Sequence, residues 1–173
     1  MRRILLSCAF LAVLSLPAAA VARTSAPAGP GFLVVRHAVG DGGVNGRPVA
    51  TVVVRGFVLG RVSQEGQVEV IQLPSVSGEG APQVTAGVST RAIRWHGFAG
   101  KEFTGSNFRF RAMGGSYRVV VRGSGIYLFA GGRGQVTLRG SSIYKHADGW
   151  YAVNGAPFRS LPGVPLKRKL GRG

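Results

Sequence analysis

From Phe32 onward the apolar positions come in short runs, rich in Val, Phe and Tyr and cut by glycine every six to ten residues. Beyond the first 22 residues no stretch keeps a 3.6-residue apolar period for three turns, so the pattern predicts strands and no long helix. A short helical turn fits only within residues 98–107. Strands are expected at 32–38, 48–59, 61–62, 67–73, 83–88, 92–95, 107–113, 116–122, 126–130, 134–139, 142–146 and 150–153. Between them, Gly40-Asp-Gly-Gly43, Gln64-Glu65-Gly66 and Gly131-Gly-Arg-Gly134 read as turns, and Pro74 to Pro82 as a loop. Asn154-Gly155 carries the type I′ hairpin signal, because both central residues of that turn need positive φ. The implied fold is all-β: a single antiparallel β-sandwich or barrel of short hairpin-connected strands, with a β-meander in the C-terminal half.

Strict alternation assigns the faces. In Phe108-Arg109-Phe110-Arg111 the aromatics point one way and the arginines the other. Tyr117, Val119 and Val121 share one face, and Arg118, Val120 and Arg122 the opposite one. If neighbouring hairpin strands bring these segments side by side, Arg109, Arg111, Arg118, Arg122 and Arg139 collect on one sheet face. A solvated outer face accounts for them in ordinary terms. The sharper alternative is a polyanion-binding platform, since only Glu102 and Asp148 lie in the same half of the chain and like charges opposed across a ladder cost stability.

A near-duplicated hexapeptide reinforces the strand reading. Arg122-Gly-Ser-Gly-Ile-Tyr127 returns 17 residues later as Arg139-Gly-Ser-Ser-Ile-Tyr144, each copy after an apolar run. Ser124 and Ser141 are turn residues in this reading. The first copy lacks the second glycine of a Gly-x-Ser-x-Gly nucleophile elbow.

The chain ends and the composition bound the cellular address. Residues 1–22 have the form of a signal peptide: Arg2-Arg3, an apolar run over 4–16, Pro17, and the small-x-small site Ala20-Val21-Ala22. Residues 23–31 read as a flexible Pro/Ala/Gly linker, 32–162 as one all-β domain and 163–173 as a basic C-terminal tail. Cleavage would remove the sole cysteine, Cys8, and with it any disulfide, thiol nucleophile or cysteine metal site. The whole chain carries 22 basic and 6 acidic residues, a formal charge of +16; without Arg2 and Arg3 the mature chain carries +14. Such a balance favours acidic partners, either an anionic cell-envelope polymer or an acidic lipid surface. Export disfavours nucleic acid, and no apolar segment of the mature chain is long enough to span a bilayer as a helix.

Catalytic constellations are scarce. Of the three histidines, His146 has Asp148 two residues away, which on a strand would place both on one face as a base and its orienting acid. The same residues fit an ordinary turn through Asp148-Gly149. Six acids give little scope for a glycosidase pair, and three isolated histidines show no metal-ligand spacing. No catalytic residue, metal site or cofactor is assigned. Trp95, Tyr127, Tyr144, Trp150, Tyr151 and Phe158 are candidates either for the core or for a sugar-stacking strip.

The Gly-punctuated segment Gly-Arg-Gly-Gln-Val-Thr-Leu-Arg-Gly-Ser-Ser-Ile-Tyr144, followed by Trp150-Tyr-Ala-Val-Asn-Gly155, resembles a class of small secreted Gly-rich bacterial all-β proteins of unknown function. The resemblance covers about residues 107–160 and carries over no functional residue. The expected function is that of an exported, non-enzymatic domain, secreted or envelope-associated, with a structural or adhesive role on anionic polymers. The alternative from another class is a secreted carrier or inhibitor holding an apolar ligand or a protein in the core or on an edge strand. A hydrolase using His146 and Asp148 ranks last.

Overall fold

The computed structural model describes residues 29–41, 43–74, 83–84, 87–141 and 148–171. The signal segment, most of the linker and His146 lie outside them. Eight strands form one antiparallel sheet: β1 (Gly31–Val39), β2 (Ala50–Leu73), β3 (Gln83–Val84), β4 (Ser89–Trp95), β5 (Phe98–Leu138), β6 (Trp150–Val153), β7 (Arg159–Ser160) and β8 (Leu166–Leu170). Apart from a 3-10 turn at Gly43–Asn45, the described residues contain no helix. The fold is all-β and antiparallel, but the single sheet does not close into a barrel.

Its construction departs from a series of short hairpins. β2 runs for 24 residues and β5 for 41, and they pair twice. One edge of β2 pairs with the first part of β5, from Ala50↔Val121 to Ile71↔Gly100. Its other edge pairs with the later part, from Ala50↔Leu138 to Val62↔Ile126 and on to Leu73↔Ser116. Val121 therefore lies between Ala50 and Val68, which are 18 residues apart in β2. The two long strands coil together, and each winding of about 18 residues returns the chain beside itself. The inward side chains of successive windings, including Val52, Val58, Val62, Val68, Val119, Val136 and Leu138, meet in one buried cluster. Each such aliphatic contributes about 1.5–3 kcal/mol by leaving water, which holds the coil closed around its core.

Several expected turns are bends in continuing strands. Gly114, at φ 80°, makes a one-residue bulge between Phe57↔Met113 and Gly56↔Gly115, and β5 continues along the same edge of β2. At Gly131–Gly134 the backbones of β2 and β5 come so close that a Cβ on Gly132 or Gly134 would sit about 2 Å from a β2 carbonyl oxygen. Glycine here admits tight coiling, where the sequence pattern suggested reversal. The C-terminal half is accordingly no meander. Residues 64–66 stay within β2, and 98–107, where a helical turn was expected, belong to β5. The run Lys167-Arg168-Lys169, expected in a tail, is a strand paired with Gln135–Thr137 and anchored by Leu166 and Leu170.

Other local signals meet the expected chemistry. Asn154 and Gly155 have φ 54° and 78°, and the Ala156 amide donates to the Val153 carbonyl at 3.0 Å, as a type I′ hairpin requires. The Asn154 side chain also donates to the Lys169 carbonyl, tying the turn to β8. The duplicated hexapeptide gains a structural meaning: its copies begin just after Val121 and Leu138, which flank Ala50 on its two edges. Val49 bridges both, accepting from the Arg139 amide and donating to the Val121 carbonyl, each at 2.9 Å. The 17-residue repeat is one winding of the coil.

Candidate functional site: two classes of arginine on the outer face

Alternation places the arginines outside. Phe108, Phe110, Tyr117, Val119 and Val121 are buried, and the intervening Arg109, Arg111, Arg118 and Arg122 project from the outer surface. The continuous course of β5, however, sets these segments end to end. Nine residues of strand separate Arg109 from Arg118, about 30 Å. The five predicted arginines thus form no single compact platform. They divide by their surroundings.

Arg118, Arg122 and Arg139 lie beside acids from the first half of the chain. Glu69 on β2 pairs with both Arg118, at 3.4 Å, and Arg122, which also donates to Gln67. These three side chains keep only 17–20% of their exposure, and Arg118 stacks 4.6 Å from the Trp95 ring centroid. Arg91, on the neighbouring β4, donates to both carboxylate oxygens of Glu102 at 3.1 and 3.0 Å. Arg139 lies 4.0 Å from Asp41, whose carboxylate also accepts from the Ser141 hydroxyl. The scarcity of nearby acids expected for the cluster does not hold for these arginines. Glu69 and Asp41 are distant in sequence but adjacent across the windings.

Arg109 and Arg111 belong to a different environment. Across the ladder Arg109 faces Arg61, and Arg61 in turn faces Tyr127. Arg55 likewise faces Arg133. All five arginines are exposed. Arg61 donates to Asn107 and Arg111 to Gln83, neutral acceptors in both cases. No acid occupies the outward rows that contain Arg55, Phe57, Leu59 and Arg61 among the described residues. Sequence reasoning missed Arg55, Arg61 and Arg133 for this surface; the alternation of β2 around Val54, Val58 and Val62 was the available signal.

Two shallow depressions adjoin at Leu59. One, of about 510 Å³, is lined by Gln83, Val84, Arg109, Phe110 and Arg111. The other, of about 270 Å³, lies among Val34, Arg36, Arg61, Tyr127 and Phe129. Both depressions are lined by apolar side chains and by arginines, Arg109 and Arg111 in the first and Arg36 and Arg61 in the second, and the pair is termed the trough. At its far side His37 sits at φ 51° in a bulge of β1. Its Nδ1 is 2.6 Å from the Tyr127 hydroxyl, and its ring packs edge-on against Trp150. Trp150 is exposed, whereas Tyr151 is in the core. Arg36 lies over the Phe158 ring at 4.6 Å.

The acid of the suggested catalytic pair has a structural setting. Asp148 is 8% exposed, and its carboxyl is held above its ordinary pKa, first by burial and then by the charge of Asp41. His146 lies outside the described residues. Among those described, no cluster of three or more His, Cys, Asp or Glu could hold a metal ion, and no helix is long and apolar enough to cross a membrane. No protein-family model, curated protein or solved structure matches the chain significantly.

Proposed function

We propose that this chain is an exported, non-enzymatic binding protein whose basic outer trough associates with anionic polymers of the cell envelope. The observation that carries the reading is the facing of Arg61 and Arg109 on a stretch of sheet whose outward rows hold no acid among the described residues. Facing cations raise the energy of the free protein, and a polymer bearing carboxylate, sulfate or phosphate groups relieves that repulsion on binding. The other arginines sharpen the assignment. Arg118, Arg122 and Arg91 pair with Glu69 and Glu102, whereas Arg61, Arg109 and Arg111 are exposed on the outer face, so these three carry the binding in this reading. A net positive charge adds long-range attraction to any such surface. The test is retention on immobilised heparin, a sulfated polyanion probe, in rising salt. Retention should collapse as the exposed charges are screened. Retention indifferent to salt contradicts the proposal.

A further inference from the structure

Beside the trough, the same outer surface carries an apolar plate that polymer binding leaves unused. Phe57 and Phe32 flank Gly131 in one cross-strand row, with Met113 beyond Phe57. Phe129, in the adjacent row, packs on both rings at centroid distances of 5.3 and 5.9 Å. A Cβ on Gly131 would lie 2.5 Å from the Phe57 ring and 3.0 Å from that of Phe32, so the rings close directly over the backbone. Even so, Phe32, Phe129 and Met113 keep 44%, 39% and 49% of their exposure. Single exposed apolar side chains are commonplace; a contiguous aromatic group marks a contact surface.

The surroundings of the plate identify the contact. Arg55 and Arg133 form the row on one side, and Arg111 and Arg61 stand on the other. Apolar rings between rows of guanidinium groups complement the boundary of an acidic bilayer, where acyl chains lie beneath a layer of phosphates. A soluble polyanion would engage the arginines and leave the rings in water. We infer that this face docks peripherally on acidic phospholipid. Phe32, Phe57, Phe129 and Met113 enter the acyl boundary while the flanking arginines meet headgroup phosphates. Lipid docking goes beyond the polymer reading: it shares Phe129, Arg61 and Arg111 with the trough but is carried by the exposed rings and Met113.

The experiment is co-sedimentation with vesicles of phosphatidylglycerol and phosphatidylcholine, set against phosphatidylcholine alone and immobilised heparin. The wild-type chain should bind the acidic vesicles. Phe32→Ser with Met113→Ser should weaken that binding at least about tenfold, the loss expected when two half-exposed apolar side chains no longer reach the acyl chains. Heparin retention should stay unchanged and the protein should remain folded at the assay temperature, with thermal unfolding lowered only by the ring contact that Phe32 loses with Phe129. In Phe32→Trp, emission should shift to the blue and be quenched by acyl-brominated acidic lipid, relative to the wild-type chain. Vesicle binding unaltered by the double substitution, or emission unquenched in Phe32→Trp, overturns the inference. Retention on heparin without vesicle binding overturns it and leaves the polymer reading standing; binding to neither overturns both.

Discussion

Arg61 and Arg109 stand directly opposite one another across the β2–β5 ladder, exposed, with Arg61 held by the side-chain oxygen of Asn107. Two guanidinium groups facing each other at an exposed position repel, weakly because water and salt screen them. Arg109→Gln should change thermal stability by no more than about a few tenths of a kcal/mol, because the contacts of this exposed side chain are screened by solvent. It should lower heparin retention at the same time. A clear loss of stability would mean that Arg109 has a structural role instead.

Glu69 has the opposite character, since two largely buried guanidinium groups share one carboxylate. Glu69→Gln should destabilise the fold by about 1–2 kcal/mol, the scale of a charge-assisted hydrogen bond lost at a partly buried site. Urea unfolding should show a lower midpoint with an unchanged slope. An unchanged midpoint would show that Arg118 and Arg122 are satisfied without it.

Asp148 gives the fold a dependence on pH. Its native pKa lies above its unfolded value of about 3.9, through burial and the charge of Asp41. Between those two values the native state binds more protons, so this group's effect is to lower stability as pH rises through the window. Asp148→Asn should therefore raise the melting temperature at neutral pH, with the gain shrinking as the pH falls towards about 4 and absent below it. A gain that grows on acidification contradicts this account.

Coiling of the long strands rests on close backbone approach. Gly132→Ala combines a φ of 136° with a Cβ 2.1 Å from the Arg55 carbonyl oxygen, and should cost about 3 kcal/mol or more. Gly155→Ala also has positive φ but meets nothing within 4 Å, and should cost only about 1 kcal/mol. Chemical denaturation of the two variants separates contact from conformational strain. Equal losses would show that the approach of β2 and β5 at Gly132 is not tight.

The all-β class, the inward set of alternate residues and the Asn154-Gly155 hairpin were legible because each depends on local pattern. The long strands were not. Glycine marks a turn and a coiled strand alike, and only the partner of Gly132, the carbonyl of Arg55 on β2, decides between them. The arginine face shared this limit: Arg118 and Arg122 project outward as alternation requires, yet their acid is Glu69, about 50 positions earlier. The trough escaped notice for a related reason. Arg61 and Arg109 become neighbours only through the register of two strands far apart in sequence.

The most direct test of the polyanion-binding trough compares the salt dependence of heparin affinity in three proteins: wild type, Arg61→Gln with Arg109→Gln, and Arg91→Gln. Each cation engaged by the polymer steepens the fall of affinity with salt, so the trough variant should bind more weakly and with a shallower slope. Arg91, committed to Glu102, should leave both unchanged. A trough variant with the wild-type slope, or an equal loss from Arg91→Gln, would show that overall charge alone governs binding and would contradict the account.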